Sequence, residues 1–193
     1  FFQGSVRKTA VIGVGGQSVT RDIAICLRTS WRQAERLKVD HGSALLTETD
    51  AQDVIEIVGG LPRTQVSRTQ LAEIVEARME ELFALVKKQI DASPYGDMLS
   101  AGIVLTGGGA LIDGADLLAE RIFGRPVRLA APRGTPGIGE RVTSPIYSTA
   151  VGLALMAADD GVATSCPAGG RGLAEGRFES VAGRMREWFQ TLL

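Results

Sequence analysis

The chain has 193 residues, of which 45% are hydrophobic, so it is long and apolar enough to bury a core and is neither disordered nor fibrous in composition. Its formal net charge is −1, so the chain has no overall basic field to attract nucleic acid, which disfavours DNA binding. The two cysteines, Cys26 and Cys166, have neither the number for a disulfide framework nor the spacing of a zinc site, and this favours a reducing cytoplasm.

The given N-terminal residues do not have the charged, apolar and small-residue pattern expected of a secretion signal. Phe1–Ser5 fits either a protease-cleavage scar or the first strand and turn of a hairpin, and we favour the hairpin because residues 6–12 supply a returning strand. No apolar run of about eighteen residues occurs, so the sequence predicts no membrane-spanning helix. Because the chain does not begin with Met, we interpret it as a fragment of a longer protein.

The first predicted elements are a strand and two helices. A strand over residues 6–14 ends at Gly15-Gly16, and Ser18 or Thr20 is expected to cap the helix that follows. A second helix over residues 31–41 has apolar residues at helical spacing and closes with Gly42 in the C′ position.

A small sheet and a long helix come next. Residues 43–66 are rich in Thr, Val and Ile and predict an antiparallel sheet of two or three strands. From Ser67 to Ser93 apolar residues recur every three or four positions, which predicts a long amphipathic helix.

Predicted strands and helices alternate in the following stretch, as they do in an α/β protein. Residues 101–106 predict a strand buried on both faces, as in a parallel sheet, and a helix is expected from about Asp113 to Phe123. A strand over residues 125–129 and a loop rich in Pro and Gly over 131–141 come before a helix that Ser144-Pro145 opens. Compact structure is expected to end near Ala157.

The C-terminal segment predicts a membrane anchor on a tether. Residues 158–176 are mostly small and polar, as in a flexible linker. Residues 177–193 form an amphipathic pattern with arginines on one side, which suits the surface of an anionic bilayer. The alternative is a helix that docks on the domain or on a partner. The membrane-binding side chains are expected to be Phe178, Val181, Met185, Trp188, Phe189 and Leu192.

A loop of three glycines carries the first candidate site. Gly107, Gly108 and Gly109, followed by Ala110, come at the carboxyl end of the predicted strand, where glycine lets a phosphate or a nucleoside approach the backbone. The start of the next helix would add N–H groups for an anion. Such turns are as often only tight connections. Neither a P-loop nor the dinucleotide-binding motif is matched, so those two enzyme classes are disfavoured.

The loop and its surroundings resemble a known superfamily. Residues 103–110 (IVLTGGGA) with Gly114 are similar to the adenosine motif shared by actin, sugar kinases and heat-shock chaperones. Further segments resemble the FtsA family of bacterial cell-division proteins, in its C-terminal half. They are residues 9–16 (TAVIGVGG), 19–24 (VTRDIA), 34–38 (AERLK), 67–78 (SRTQLAEIVEAR) and 145–153 (PIYSTAVGL).

The resemblance implies a fold and a ligand. The fold class is α/β, the second lobe of an actin-like, ribonuclease H-like protein. Residues 1–28 and 97–157 would form its core subdomain, and residues 29–96 a small inserted α+β subdomain. Glu35 and Lys38 would border the adenine and ribose of ATP across from the glycine loop, while Mg belongs to the full-length protein. The alternative is a solvated ion pair within one helix.

The resemblance also implies a cellular role. FtsA-like proteins are expected to be polymer-forming adaptors that anchor the FtsZ ring to the cytoplasmic face of the inner membrane at the division septum. Arg68, Glu76 and Arg78 would contact the FtsZ tail, and ATP hydrolysis would be slow at most, not that of a metabolic enzyme. The alternatives are a sugar-kinase-like phosphotransferase and a chaperone of the same superfamily.

Overall fold

The computed structural model describes residues 5–45, 54–57, 64–133 and 142–159. The chain divides into two compact units, Phe1–Val151 and Gly152–Leu193. The helices of the described residues are α1 (Gly16–Cys26), α2 (Trp31–His41), α3 (Arg68–Asp91), α4 (Ala115–Phe123) and α5 (Ser148–Asp159). The strands are β1 (Val54–Ile57), β2 (Thr64–Ser67), β3 (Ile103–Leu105) and β4 (Val127–Leu129), and short 3-10 turns occur at Gly96–Met98, Gly108–Leu111 and Pro145–Tyr147.

Helix α1 begins earlier than predicted. Gly15 occupies its N-cap position and no side chain caps it, so the expectation that Ser18 or Thr20 caps this helix is wrong. Both residues lie inside the helix, and the Thr20 hydroxyl lies 3.0 Å from the carbonyl oxygen of Gly16, one turn before it. Helix α2 does have a side-chain N-cap, because the hydroxyl of Ser30 accepts a hydrogen bond from the backbone N–H of Gln33.

The end of α2 needs glycine for a reason that the sequence did not reveal. Gly42 ends α2 as expected, but it is the C-cap residue and not the C′ residue, and its φ of −70° and ψ of 127° are those of extended backbone. A Cβ built at Gly42 would lie 2.4 Å from the carbonyl oxygen of Lys38. Gly42 therefore allows a close approach between two stretches of backbone, and no positive φ is required.

The small antiparallel sheet is confirmed by β1 and β2. The two strands pair with Val54 opposite Ser67 and Ile55 opposite Val66. Val66 is buried, so one face of this sheet contributes to the core. The rest of the predicted region, residues 46–53 and 58–63, lies outside the described residues.

Strands β3 and β4 were each predicted, and the structure pairs them in parallel, with Ile103 opposite Val127 and Leu105 opposite Leu129. The expectation that β3 is buried on both faces is wrong. Ile103 and Leu105 pack against the core, whereas Val104 between them is 47% exposed. Alternate residues of a strand face opposite sides, and in the described residues the core covers only one of these sides.

The first predicted strand is absent from the described residues. Residues 6–12 form no strand, and Val11 is 95% exposed. The Nζ of Lys8 donates a hydrogen bond to the carbonyl oxygen of Gln89 near the end of α3. An extended segment becomes a strand only where a neighbouring strand accepts its backbone hydrogen bonds, and no described strand does so here.

The core lies where α1, α2, α3 and α4 meet. The long helix α3 confirms the most periodic prediction, and it packs against α1 and α4. Phe83 of α3 and Phe123 of α4 make an edge-to-face contact with ring centroids 5.6 Å apart. The largest fully buried side chains are Ile23, Leu71, Leu118, Val19, Val66, Val75 and Thr20. Thr20 is therefore a polar residue enclosed among apolar ones.

The C-terminal part of the chain is described only in part. Pro145 opens a 3-10 turn that leads into α5, which confirms the predicted helix. The predicted tether and amphipathic helix lie outside the described residues. Among the helices that the structure describes, none has both the length and the apolar character needed to cross a bilayer.

Candidate functional site

A cavity of about 770 Å³ lies between the start of α1, the second half of α2 and the segment that follows β3. Gly16 lines it from α1, Glu35 and Lys38 line it from α2, and Gly108 and Gly109 line it from the glycine loop. The fold thus brings together the two sets of residues that the sequence singled out. They come from parts of the chain about 70 positions apart, so only packing unites them.

The glycine loop provides a bare stretch of backbone. Gly107 has a φ of +93°, in the region that favours glycine, and it precedes the 3-10 turn. A Cβ built at Gly109 would meet no atom within 4 Å, so the space beside Gly109 is open. Gly107 and Ala110, which were predicted to bind nucleotide, are not among the residues that line the cavity, and Ala110 is buried.

Thr106 holds the start of this loop. Its hydroxyl donates a 2.7 Å hydrogen bond to the carbonyl oxygen of Ala130, which follows β4. The hydroxyl of Ser148, at the start of α5, lies beside it. These contacts fix the end of β3 from which the glycines extend.

The helix after the loop starts later than expected. Helix α4 begins at Ala115, and the 3-10 turn Gly108–Leu111 separates it from β3. Asp113, just before α4, lines the cavity. The turn therefore separates the glycine loop from the helix start that was expected to attract phosphate. The Asp113 carboxylate beside that helix start also repels an anion. This end of the cavity suits the uncharged part of a nucleotide better than its phosphates.

Glu35 and Lys38 form an ion pair that is only partly solvated. The Nζ of Lys38 lies 2.9 Å from Oε1 and 2.8 Å from Oε2 of Glu35, so it contacts both carboxylate oxygens. The Lys38 side chain is 12% exposed and the Glu35 side chain is 44% exposed. The carboxylate therefore faces the cavity, while the ammonium is withdrawn from water.

Thr20 joins this pair to α1. The Nζ of Lys38 donates to the hydroxyl oxygen of Thr20 at 3.0 Å and to the carbonyl oxygen of Gly16 at 3.3 Å. The Thr20 hydroxyl in turn donates to Oε2 of Glu35. Sequence reasoning treated Thr20 only as a helix cap. The available signal was its position beside Val19 and before Ile23 on the buried face of α1.

The network favours the charged form of Glu35. Burial by itself raises the pKa of a carboxyl group, but the hydrogen bonds from Lys38 and Thr20 and the positive charge of Lys38 together outweigh it. The pKa of Glu35 consequently lies below its ordinary value. At neutral pH the cavity thus presents a carboxylate that accepts hydrogen bonds and does not donate them.

The three residues predicted for partner binding do not share one surface. Arg68, the first residue of α3, is half-buried and lines the cavity. Glu76 accepts a hydrogen bond from Arg121 of α4 at 2.9 Å, and Arg78 pairs with Asp22 of α1 and with Glu81. Glu76 and Arg78 therefore already connect α3 to its neighbouring helices.

A second cavity, of about 280 Å³, lies between residues 7–12 and the C-terminal end of α3. Its lining is largely apolar, and the Nζ of its Lys8 is bonded to the backbone of Gln89. The larger cavity is the better candidate site, because it has a carboxylate, an ammonium group and open backbone facing one space.

The described residues offer no metal site, and they do not include the predicted membrane-binding segment. Within the described ranges, no three His, Cys, Asp or Glu side chains come together as a metal ion would require. The predicted membrane-binding residues, from Phe178 to Leu192, lie outside those ranges.

Comparison with known proteins assigns the family. The family model described as "Cell division protein FtsA" matches residues 1–152. FtsA of Pseudomonas aeruginosa is 42% identical over 98% of this chain and 46% of its own length. FtsA of Neisseria meningitidis is 40% identical, with 79% and 38% covered, and FtsA of Escherichia coli is 40% identical, with 78% and 38% covered. The chain thus spans less than half the length of these relatives.

Solved structures assign the fold. MreB5 of Spiroplasma citri bound to ADP superposes with a TM-score of 0.58 at 22% identity, over 75% of this chain and 44% of that one. The same protein bound to AMPPNP gives a TM-score of 0.57 at 20% identity, with 79% and 49% covered. MreB is actin-like, so the described α/β structure has an actin-like fold. By the family model that matches residues 1–152, the chain belongs to the FtsA family of cell division proteins.

Proposed function

We propose that, in the full-length protein, this chain forms the nucleoside-binding wall of an ATP cleft. The observation that supports this most is the single cavity lined both by Gly108 and Gly109 and by Glu35 and Lys38. In this proposal ATP controls the assembly of a polymer that ties FtsZ to the membrane during cell division.

The chemistry of the cavity suits a nucleoside. Its volume of about 770 Å³ lies within the roughly 300–1,000 Å³ typical of small-molecule sites. The open backbone at Gly109 lets a flat base approach closely, and the Glu35 carboxylate accepts hydrogen bonds from ribose hydroxyls. Asp113 disfavours phosphates here. The phosphates and their Mg²⁺ would accordingly be held by the half of the protein that this chain does not contain.

The comparisons support a nucleotide as the ligand. Both MreB5 structures that share the fold carry an adenine nucleotide, ADP in one and AMPPNP in the other. The residues of this chain would bind and orient the nucleoside end of ATP. Hydrolysis would be slow at most and would serve assembly, not metabolism.

Filling the open space at Gly109 tests the site. In the full-length protein, Gly109→Val adds a branched side chain at a position where a built Cβ meets no described atom within 4 Å, so we expect the variant to fold. We expect ATP affinity to fall roughly tenfold or more, because the base loses its approach to the backbone. Isothermal titration calorimetry measures the affinity.

A matched variant controls for the added side chain. Gly13→Val also introduces valine where no described atom lies within 4 Å of the built Cβ, and Gly13 does not line the cavity. Its ATP affinity should equal that of the wild type. Unchanged binding in a folded Gly109→Val protein would contradict the proposed site.

The proposed membrane contact rests on the C-terminal pattern. The match to the Pseudomonas aeruginosa relative extends over 98% of this chain, so it includes most of residues 177–193. Several large apolar side chains, each worth about 1–2 kcal/mol when partly buried, give only reversible attachment. Many copies in a polymer would make that attachment stable.

Vesicle co-sedimentation tests this contact. We expect the full-length protein carrying Trp188→Ala and Phe189→Ala to lose most of its binding to anionic vesicles, because both rings leave the bilayer surface. Gln190→Ala with Thr191→Ala is the matched control, since it changes two neighbouring polar residues. Equal sedimentation of both double variants would contradict the anchor.

We also propose that the FtsZ tail contacts α3. Arg68, Glu76 and Arg78 remain the candidates because all three lie on this helix, with Arg68 beside the cavity and the other two next to α4 and α1. The ion pairs of Glu76 and Arg78 leave their side chains only partly available to a partner. A pull-down of the FtsZ tail with Arg68→Ala and Arg78→Ala variants, compared with Glu73→Ala on an exposed turn of α3, is the test.

A further inference from the structure

The buried hydroxyl of Thr20 contacts both members of the Glu35–Lys38 pair. Thr20 is 0% exposed, and its hydroxyl is the point where three polar groups of the cavity wall meet. The Nζ of Lys38 lies 3.0 Å from it, the carbonyl oxygen of Gly16 also lies 3.0 Å from it, and Oε2 of Glu35 is in hydrogen-bond contact with it. A buried polar side chain is stable only when its hydrogen bonds are made, so these contacts keep Thr20 in place.

The hydroxyl directs its one proton towards an acceptor. Lys38 has only donors, so the Thr20 oxygen accepts from it. The proton of Thr20 is then available to Oε2 of Glu35 or to the carbonyl oxygen of Gly16. The bond to Glu35 is charge-assisted, and such bonds are stronger than neutral ones. Thr20, which does not line the cavity, therefore holds Oε2 from within the protein.

Without this contact the carboxylate would be held by Lys38 alone. Glu35 has several rotatable bonds, and its side chain is 44% exposed, so water competes for it. Lys38 contacts both oxygens as a point charge, which attracts the carboxylate but fixes its orientation weakly. The directional bond from a fully buried threonine on a different helix supplies the missing restraint.

We propose that Thr20 is a positioning residue, which orients the Glu35 carboxylate so that it accepts hydrogen bonds from the ribose hydroxyls of the bound nucleotide. This inference rests on the proposed function of the cavity. It assigns a role to a residue that never touches the ligand. It also predicts that Thr20 governs discrimination between ribose and deoxyribose.

The test measures nucleotide preference in the full-length protein. Thr20→Val keeps the branched shape and removes the hydroxyl, and Thr20→Ser keeps the hydroxyl. Each protein is titrated with ATP, 2′-deoxy-ATP and 3′-deoxy-ATP. We expect Thr20→Val to bind ATP roughly tenfold more weakly and to lose the wild-type preference for ATP over the deoxy analogues. Thr20→Ser should restore both.

Two controls separate positioning from folding. Ser18→Ala removes a hydroxyl from the same helix at a residue that does not line the cavity, and it should bind like the wild type. Thr20→Val should also have no further effect in a Glu35→Gln protein, because Thr20 acts through the carboxylate. Melting temperatures of all variants establish that they are folded.

Each outcome has a distinct meaning. A wild-type protein that binds no ATP overturns the proposed function, and the inference with it. A wild-type protein that binds ATP, together with a Thr20→Val protein of equal affinity and preference, overturns the inference alone. An equal loss for all three nucleotides in Thr20→Val shows a merely structural role and also overturns the inference.

Discussion

Two regions of the molecule use charged side chains in different ways. The cavity side, formed by α1 and α2, holds Lys38 against Glu35 and Thr20 with little exposure of the ammonium group. The outer side, formed by α3 and α4, carries Arg121, whose side chain is 53% exposed, beside the enclosed carboxylate of Glu76 and the exposed one of Glu80. In the cavity-side pair the cation is the enclosed partner, whereas in the outer pairs the cation is exposed.

The difference shows what each region depends on. Exposed ion pairs contribute little to stability, because water and salt compete with them. The outer side must therefore be held by apolar contacts such as Phe83 with Phe123. On the cavity side the polar network is itself a structural element, since losing one member leaves the others enclosed without partners.

The largest expected effect removes the aromatic contact of the outer side. Phe83→Ala should reduce the free energy of unfolding by about 3–5 kcal/mol, because it deletes a buried ring and leaves a cavity. Urea denaturation followed by circular dichroism measures this. Leu85→Ala on the same helix is the control, since Leu85 lies at the surface and should cost far less. Equal losses in the two variants would refute the apolar basis of the outer side.

A smaller effect comes from acidifying the cavity side. The pKa of Glu35 in the folded state is lower than its unfolded-state pKa of about 4.3. The hydrogen bonds of Glu35 therefore stabilise the protein fully above the unfolded-state pKa. This stabilisation is lost as the pH falls through the folded-state pKa. The wild type should exceed Glu35→Gln by about 1 kcal/mol at neutral pH, and the gap should shrink below pH 4.

Urea denaturation of both proteins at several pH values measures this gap. Glu73→Gln makes the same chemical change at an exposed position of α3 and serves as the control. A gap that stays constant down to pH 3, or widens on acidification, would contradict the role given to the Glu35 carboxylate.

The smallest expected effect breaks an ion pair next to the outer side. Arg78→Ala removes the contacts with Asp22 and Glu81 and should change the free energy of unfolding by less than about 1 kcal/mol. Adding salt should shrink the difference further, because it screens charges at the surface. Denaturation at low and high salt provides the measurement. A loss as large as that of Phe83→Ala would erase the contrast between the two regions.

The sequence predicted the helices well, because their information is local. Helix α3 follows from apolar residues spaced every three or four positions, and the helix opened by Pro145 follows from the fixed φ of proline. The antiparallel sheet of β1 and β2 also followed from the Thr, Val and Ile content of its segment.

The predictions that were wrong concern the surroundings of a segment. Residues 6–12 have the composition of a strand, but a strand requires a partner for its backbone, which the described residues do not offer. Likewise Val104 lies in an apolar run, yet its burial depends on what covers the second face of the sheet. The composition of a segment does not reveal which strand will pair with it or what will cover its second face.

The sequence predicted the glycine loop and the ion pair of the candidate site but missed the residue that contacts both members of the pair. The glycines and the Glu35–Lys38 pair were recognised from motifs, and the fold unites them in one cavity. Thr20 was missed because it lies 15 positions from Glu35 and 18 from Lys38, on another helix. No periodicity links residues at that distance.

The sequence by itself determined the family, the helices and the residue types of the candidate site, since hydrogen bonding within a helix and glycine-rich motifs depend on near neighbours in the chain. Only the tertiary structure decided that Thr20 would meet Glu35 and Lys38, and that Glu76 and Arg78 would join α3 to other helices. Such contacts arise from how α1, α2, α3 and α4 pack around one core, because a side chain's partners are set by which faces are buried together.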